Sequence, residues 1–200
     1  MTTATTELEA VNIMLSAIGE SPVSSLNDPS LVDVSLAKSI LDETSVDIQS
    51  TGIHSNTEIN FPLTPNVDGE ILVPTNCARI DSTDVSKDID VVHRGNRLYD
   101  REKRSYTSFT GTLYVDMVLL LDFNELPQHV RRYITVKAAR RFQARFMGSE
   151  TLYGFTADDE REAGLGFERG EKLNNDSNML TDNFDTYKIL SRGAPRRAVR

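Results

Sequence analysis

The sequence predicts an α+β fold: a bundle of about four helices carrying an inserted antiparallel β-sheet domain and ending in an extended C-terminal tail. Three observations lead there. Apolar residues recur at helical spacing, with start and stop signals, over 6–51 and again over 125–173. Between them, 53–123 alternates or runs β-branched, with turn dipeptides separating the runs. From Asn174 to Arg200 the periodicity vanishes. The chain then divides into an N-terminal helical hairpin (1–52), an inserted β domain (53–123), C-terminal helices (124–173) and a tail (174–200).

The first helix is expected at 6–18. Thr6 followed by Glu9 is a capping-box signature, Leu8, Val11, Leu15 and Ile18 share a face, and Gly19 with Pro22 marks the stop. A second helix is expected over 29–51, opened by Asp28-Pro29 and closed by Gly52, with Val34, Ala37, Leu41 and Ile48 on its inner face and Leu36 and Ile40 beside it. Strands are expected at Glu58–Leu63, Glu70–Val73, Ala78–Ser82, Ile89–His93, Arg97–Tyr99 and Thr112–Leu121. They should form a compact antiparallel sheet domain of five or six strands. The last run is the longest and most apolar, so it should be central. Pro62, Pro65 and Pro74 confine the first strands to edges or ends.

A long helix should start at Asn124 or Glu125 and present Val130, Ile134, Ala138, Phe142 and Phe146 inward, ending at Gly148. A fourth, about 156–173, should open with acids in its first turn and contain Gly164, Gly166 and Gly170, each of which costs about 1 kcal/mol relative to Ala.

Composition narrows the function classes. Trp is absent and apolar content is modest, so part of the apolar surface should be covered by partner subunits. A single cysteine, Cys77, excludes an internal disulfide and a four-cysteine zinc site. No basic segment followed by a long apolar run opens the chain, and no run spans a bilayer, so neither export nor a membrane partner is expected. The net charge of −8 disfavours gripping nucleic acid, which needs cations to neutralise phosphates, but allows DNA to slide past negative walls.

That charge is unevenly placed. Leu126–Gly148 carries Arg131, Arg132, Lys137, Arg140, Arg141 and Arg145 with no acid. From Asp158 to Glu171, Asp158, Asp159, Glu160, Glu162, Glu168 and Glu171 outnumber Arg161 and Arg169. Two helices, or two neighbouring subunits, should face each other with opposite sign. Arg131, Arg132, Lys137, Arg140, Arg141, Arg145, Asp158, Asp159 and Glu162 are the candidate subunit-interface residues. A DNA-facing stripe on the long helix is the weaker reading of the same cations.

Catalytic and metal motifs give little. His54, His93 and His129 match no zinc spacing, Cys77 has no basic activator near it in sequence, and no phosphate-binding glycine loop or nucleophile elbow occurs. No cofactor is expected. Asp81, Asp84, Asp88 and Asp90 form an acidic cluster that could bind calcium or supply the carboxylate pair of a glycan hydrolase, the alternative reading, although the glycine and closing Glu of a calcium loop are missing and a solvated loop explains it more simply.

The stretches Ala10-Val11-Asn12, Ile18-Gly19-Glu20-Ser21-Pro22-Val23, Leu126-Pro127 through Phe142 and Arg145-Phe146-Met147-Gly148 resemble the tail tubular protein A family. These are the head-to-tail adaptors of short-tailed bacteriophages. Asn178-Met179-Leu180 and, more weakly, Arg97-Leu98-Tyr99-Asp100 fit the same family, and 54–94 carries little of its text. The resemblance implies a virion protein, assembled in the host cytoplasm, that forms a ring of about twelve copies. The ring would sit between the portal protein and the tail nozzle (tail tubular protein B), near the tail fibres, with genomic DNA passing through it. It implies no catalysis. It also implies that the tail reaches the portal, which its apolar and basic residues suit: Met179, Leu180, Phe184, Tyr187, Ile189, Leu190, Arg192, Arg196 and Arg197.

Overall fold

In a computed structural model, residues 4–26, 32–86, 88–146 and 150–174 are described, with the backbone alone for Asp84 and 150–156. The order of elements is α1 (Glu7–Ala17), α2 (Val32–Gln49), β1 (Thr57–Leu63), β2 (Cys77–Ser82), β3 (Val91–Arg94), β4 (Arg97–Asp100), β5 (Leu113–Leu119), α3 (Gln128–Phe146) and α4 (Glu150–Asn174). This is the α+β arrangement that the periodicities predict.

Helix α1 is closed chemically at both ends. The Thr6 hydroxyl accepts from the Glu9 N–H at 3.2 Å while the Glu9 carboxylate accepts from the Thr6 N–H at 2.8 Å. At the other end Gly19 takes φ +85°, and the N–H groups of Gly19 and Glu20 reach back to the carbonyls of Ser16 and Leu15. Chain exit is then pinned by Asn12, whose side chain donates to the Val23 carbonyl at 3.0 Å and accepts its N–H at 2.8 Å.

The helices bury one shared core. Val11, Met14 and Leu15 of α1, Val34, Ala37, Ile40, Leu41 and Ile48 of α2, and Val130, Ile134, Ala138 and Phe142 of α3 meet in it. Helix α3 lies against both α1 and α2, and α4 packs on α3. Three expectations are corrected here. Phe146 is exposed instead of joining the inner face of α3, and Leu36, beside the inner face of α2, is exposed too. Helix α3 begins at Gln128, not at Asn124 or Glu125, because Pro127 forces Leu126 into extended backbone (φ −71°, ψ 148°) after a short 3-10 turn at Phe123–Glu125. Helix α4 starts six residues before the expected 156, which leaves Asp158 and Asp159 mid-helix and removes the first-turn argument for them. The signals at Asp28-Pro29 and Gly148 lie outside the described residues.

The expected antiparallel sheet domain has five strands in two sheets: β1-β5-β2 and the hairpin β3-β4, which turns at Gly95-Asn96. β5 is central, as its apolar length predicts, and alternates Leu113, Val115 and Met117 inward with Tyr114 and Asp116 outward. The run Glu70–Val73 forms no strand. Flanked by Pro65 and Pro74, it makes only an isolated bridge from Leu72 to Arg97, although Ile71 and Val73 are buried. Both sheets share a second apolar core built from Ile71, Val73, Ile80, Val91, Leu98, Phe109, Leu113, Val115 and Met117.

The joint between the two cores is polar and buried. The Gln49 side chain accepts the Leu121 N–H at 2.8 Å and donates to the Leu121 carbonyl at 3.1 Å. Asn56 donates to the carbonyls of Gln49 (3.1 Å) and Leu119 (2.8 Å) and accepts the Ile53 N–H at 2.9 Å. The end of α2 and the exit of β5 are thereby fixed to each other.

Candidate functional site

The basic face of α3 is where opposite charge was expected to be met, and three of its six cations meet an acid within the chain. Arg131 donates to three carbonyls, those of Leu126, Asn124 and Thr5, tying the entry of α3 to the residues before α1. Arg140 pairs with Glu160 on α4. Arg141 pairs with Asp47 at 2.7 Å and also donates to the Thr44 hydroxyl at 3.2 Å. Arg145 forks onto both Glu43 oxygens at 3.0 and 3.1 Å. The first of the two readings, opposed helices in one subunit, accordingly describes α3 with α4, and α2 shares in it.

The remaining residues are placed differently. Lys137 leans over the Tyr133 ring at 5.4 Å. Arg132, Asp159 and Glu162 are exposed, and so is Asp158, which pairs with Arg161 one turn on. The tail residues Met179, Leu180, Phe184, Tyr187, Ile189, Leu190, Arg192, Arg196 and Arg197 lie outside the described residues.

Sequence periodicity did not reveal what the glycines of α4 do. That helix approaches α3 through Ala163, Gly164, Phe167 and Gly170, with Phe167 stacked on Tyr133 at 5.0 Å between ring centroids. A Cβ on Gly170 would lie 2.4 Å from the His129 ring, whereas Gly166 faces open space. His129 contacts Glu171 at 2.9 Å, and the other Glu171 oxygen accepts the His54 N–H at 2.8 Å. The two histidines thus help seat α4. His93 lies half-buried on β3, and among the described residues no three His, Cys, Asp or Glu side chains gather as for a metal ion. The Cys77 thiol is buried, and burial pushes its pKa up.

Of the aspartates of the hydrolase reading, Asp81, Asp88 and Asp90 are exposed, and the Asp84 side chain lies outside the described residues. Asp81 is exposed on β2, opposite Asp116 of β5. Asp90 pairs with Arg101 at 3.0 Å, and with Asp88 and Glu102 they line a hollow of about 420 Å³ whose described lining residues are all charged.

A larger cleft of about 570 Å³ lies between α1, α2 and the segment 120–125, lined in part by Glu7, Lys38, Asp42 and Glu125. Burial raises the pKa of Asp42, partly offset by Lys38, while Lys38 is itself raised by its hydrogen bond to Glu7. No described helix is long and apolar enough to cross a membrane.

With this geometry in hand, similarity to known proteins is informative. Residues 8–176 match the family described as tail tubular protein. The chain is also 31% identical over 154 residues to "Tail tubular protein A" of Klebsiella phage KP34, covering 76% of this chain and 80% of the relative.

Proposed function

The chain belongs to the tail tubular protein family, and from that premise we propose that it is a non-enzymatic structural adaptor of a phage virion. About twelve copies close a ring that joins the portal to the tail nozzle beside the fibre attachment, and genomic DNA leaves through the ring's opening. The observation that carries this reading is the family match, which runs through both helical regions and the sheets in order. The relative's name, a tail tubular protein A, points the same way.

The candidate interface residues have two roles in this proposal. Arg131, Arg140, Arg141 and Arg145 act indirectly by holding α1, α2 and α4 against α3, so that each copy presents a fixed face. Arg132, Lys137, Asp158, Asp159 and Glu162 lie along the neighbour and help set register. A net charge of −8 suits a passage that must not retain DNA. The division into 1–52, 53–123, 124–173 and 174–200 is retained as functional: the helical parts close the ring, the β part projects from it, and the last segment engages the portal.

Removing 175–200 and mixing the shortened chain with portal rings tests that engagement. Co-sedimentation with the portal is expected to be lost, and unchanged binding would contradict the role given to the segment.

A further inference from the structure

Two exposed helical stripes carry apolar side chains that no other described helix covers. On α2 the outward positions are Val32, Leu36, Ser39, Glu43 and Val46, separated by four and three residues in alternation. On α4 the outward positions are Asp158, Glu162, Leu165, Arg169 and Leu173, in steps of four, three, four and four. Such spacing keeps one line of side chains facing a neighbouring helix. Val32, Leu36, Val46, Leu165 and Leu173 are all among the exposed large apolar residues, Val32 at 72% and Leu173 at 81%. Apolar side chains in line on two helices are a contact surface, not scattered exposure.

The stripes are complementary in two ways. Glu43 lies between Leu36 and Val46 on one, and Arg169 lies between Leu165 and Leu173 on the other, so each reads apolar, charged, apolar with opposite sign. Glu43 already receives Arg145 on both oxygens, yet a carboxylate has further lone pairs and can accept a second cation. Both helices pack on α3 and not on each other, so the stripes do not pair within one copy. A face on one helix that fits a different face on another generates head-to-tail association, the kind that closes into a ring.

We propose that the α2 stripe of each copy packs on the α4 stripe of the next, with Leu36, Glu43 and Val46 against Leu165, Arg169 and Leu173. The occupant of each stripe is therefore a second copy of this chain. This inference rests on the ring reading and assigns that ring its contact.

Cysteine cross-linking tests it, because the only native thiol, Cys77, is buried. Two double variants are made in the full chain: Val46→Cys with Leu165→Cys for antiparallel helices, and Leu36→Cys with Leu165→Cys for parallel ones. Each is oxidised in the presence of portal rings, with circular dichroism confirming the native helix content. One double is expected to give a ladder of covalent multimers on a non-reducing gel, while each single variant stays monomeric. Dimers from a single variant would overturn the proposal by showing like faces paired. Multimers in light scattering without a ladder from either double would overturn it and leave the ring reading intact. A chain that stays monomeric on its portal would sink both.

Discussion

At Gly170 and Gly166 the same substitution is expected to act in opposite directions. Alanine is favoured over glycine inside a helix by about 1 kcal/mol. Gly166→Ala should realise that gain, since its Cβ meets nothing. Gly170→Ala must displace the His129 ring, which is itself held by Glu171, and should lower stability in urea unfolding. Equal stabilisation by both would show that α4 does not press on α3 there. Asn56→Ala is expected to cost about 1–3 kcal/mol, because it leaves buried backbone groups of Ile53, Gln49 and Leu119 without their partner. A loss below a few tenths of a kcal/mol would contradict the joint described between the two cores.

Asp42 gives a pH-dependent case. Burial raises its folded-state pKa above the unfolded value, so its ionised form is penalised in the native state, and the penalty grows as pH rises through those values. Asp42→Asn should therefore raise Tm at neutral pH, with the gain fading below about pH 4, where the native carboxyl is protonated too. Asp100 has the opposite sign. Burial opposes its charge, yet the N–H of Lys103, the Ser108 hydroxyl and other nearby donors hold its pKa below the usual carboxylate range. Its contribution is present above the ordinary Asp value and is lost as pH falls through the depressed one.

Among the elements, α1 was legible in full because its signals are local. Thr6, Glu9 and Gly19 each act on backbone within a few residues. Thr6→Ala should accordingly cost about 1 kcal/mol; no change in thermal unfolding would deny the capping box its role. β5 was legible as the central strand because only a doubly flanked strand can bury so long an apolar run. The start of α3 was misplaced because Pro127 overrides the apolar period that runs up to it. The extent of α4 and the purpose of its glycines could not be read from spacing. Their justification lies in His129 and Tyr133, more than thirty positions earlier in the chain, and only packing brings them together. The separate β3-β4 hairpin escaped for a similar reason, since alternation predicts a strand but not which strand it pairs with.

For the whole molecule, the basic run on α3 shows how one sequence pattern supports two assemblies. Opposite charge on α3 and α4 was visible in the text, but whether it closes within a chain or between chains depends on distance. Arg140 to Glu160, Arg141 to Asp47 and Arg145 to Glu43 all close within the chain. In the proposed ring, the outward stripes on α2 and α4 join one copy to the next. The residues that carry the family resemblance have mainly structural duties: Asn12 secures Val23, and the Leu126-Pro127 segment sets the entry into α3. An assembly part should look like this, with its recognisable residues spent on holding a shape that its neighbours fit.

Lateral closure of that shape is the central claim, and averaged electron micrographs of the full chain mixed with portal rings test it most directly. The expected image is a closed, rotationally symmetric annulus stacked on the portal. Bare portals beside monomeric chains would contradict it.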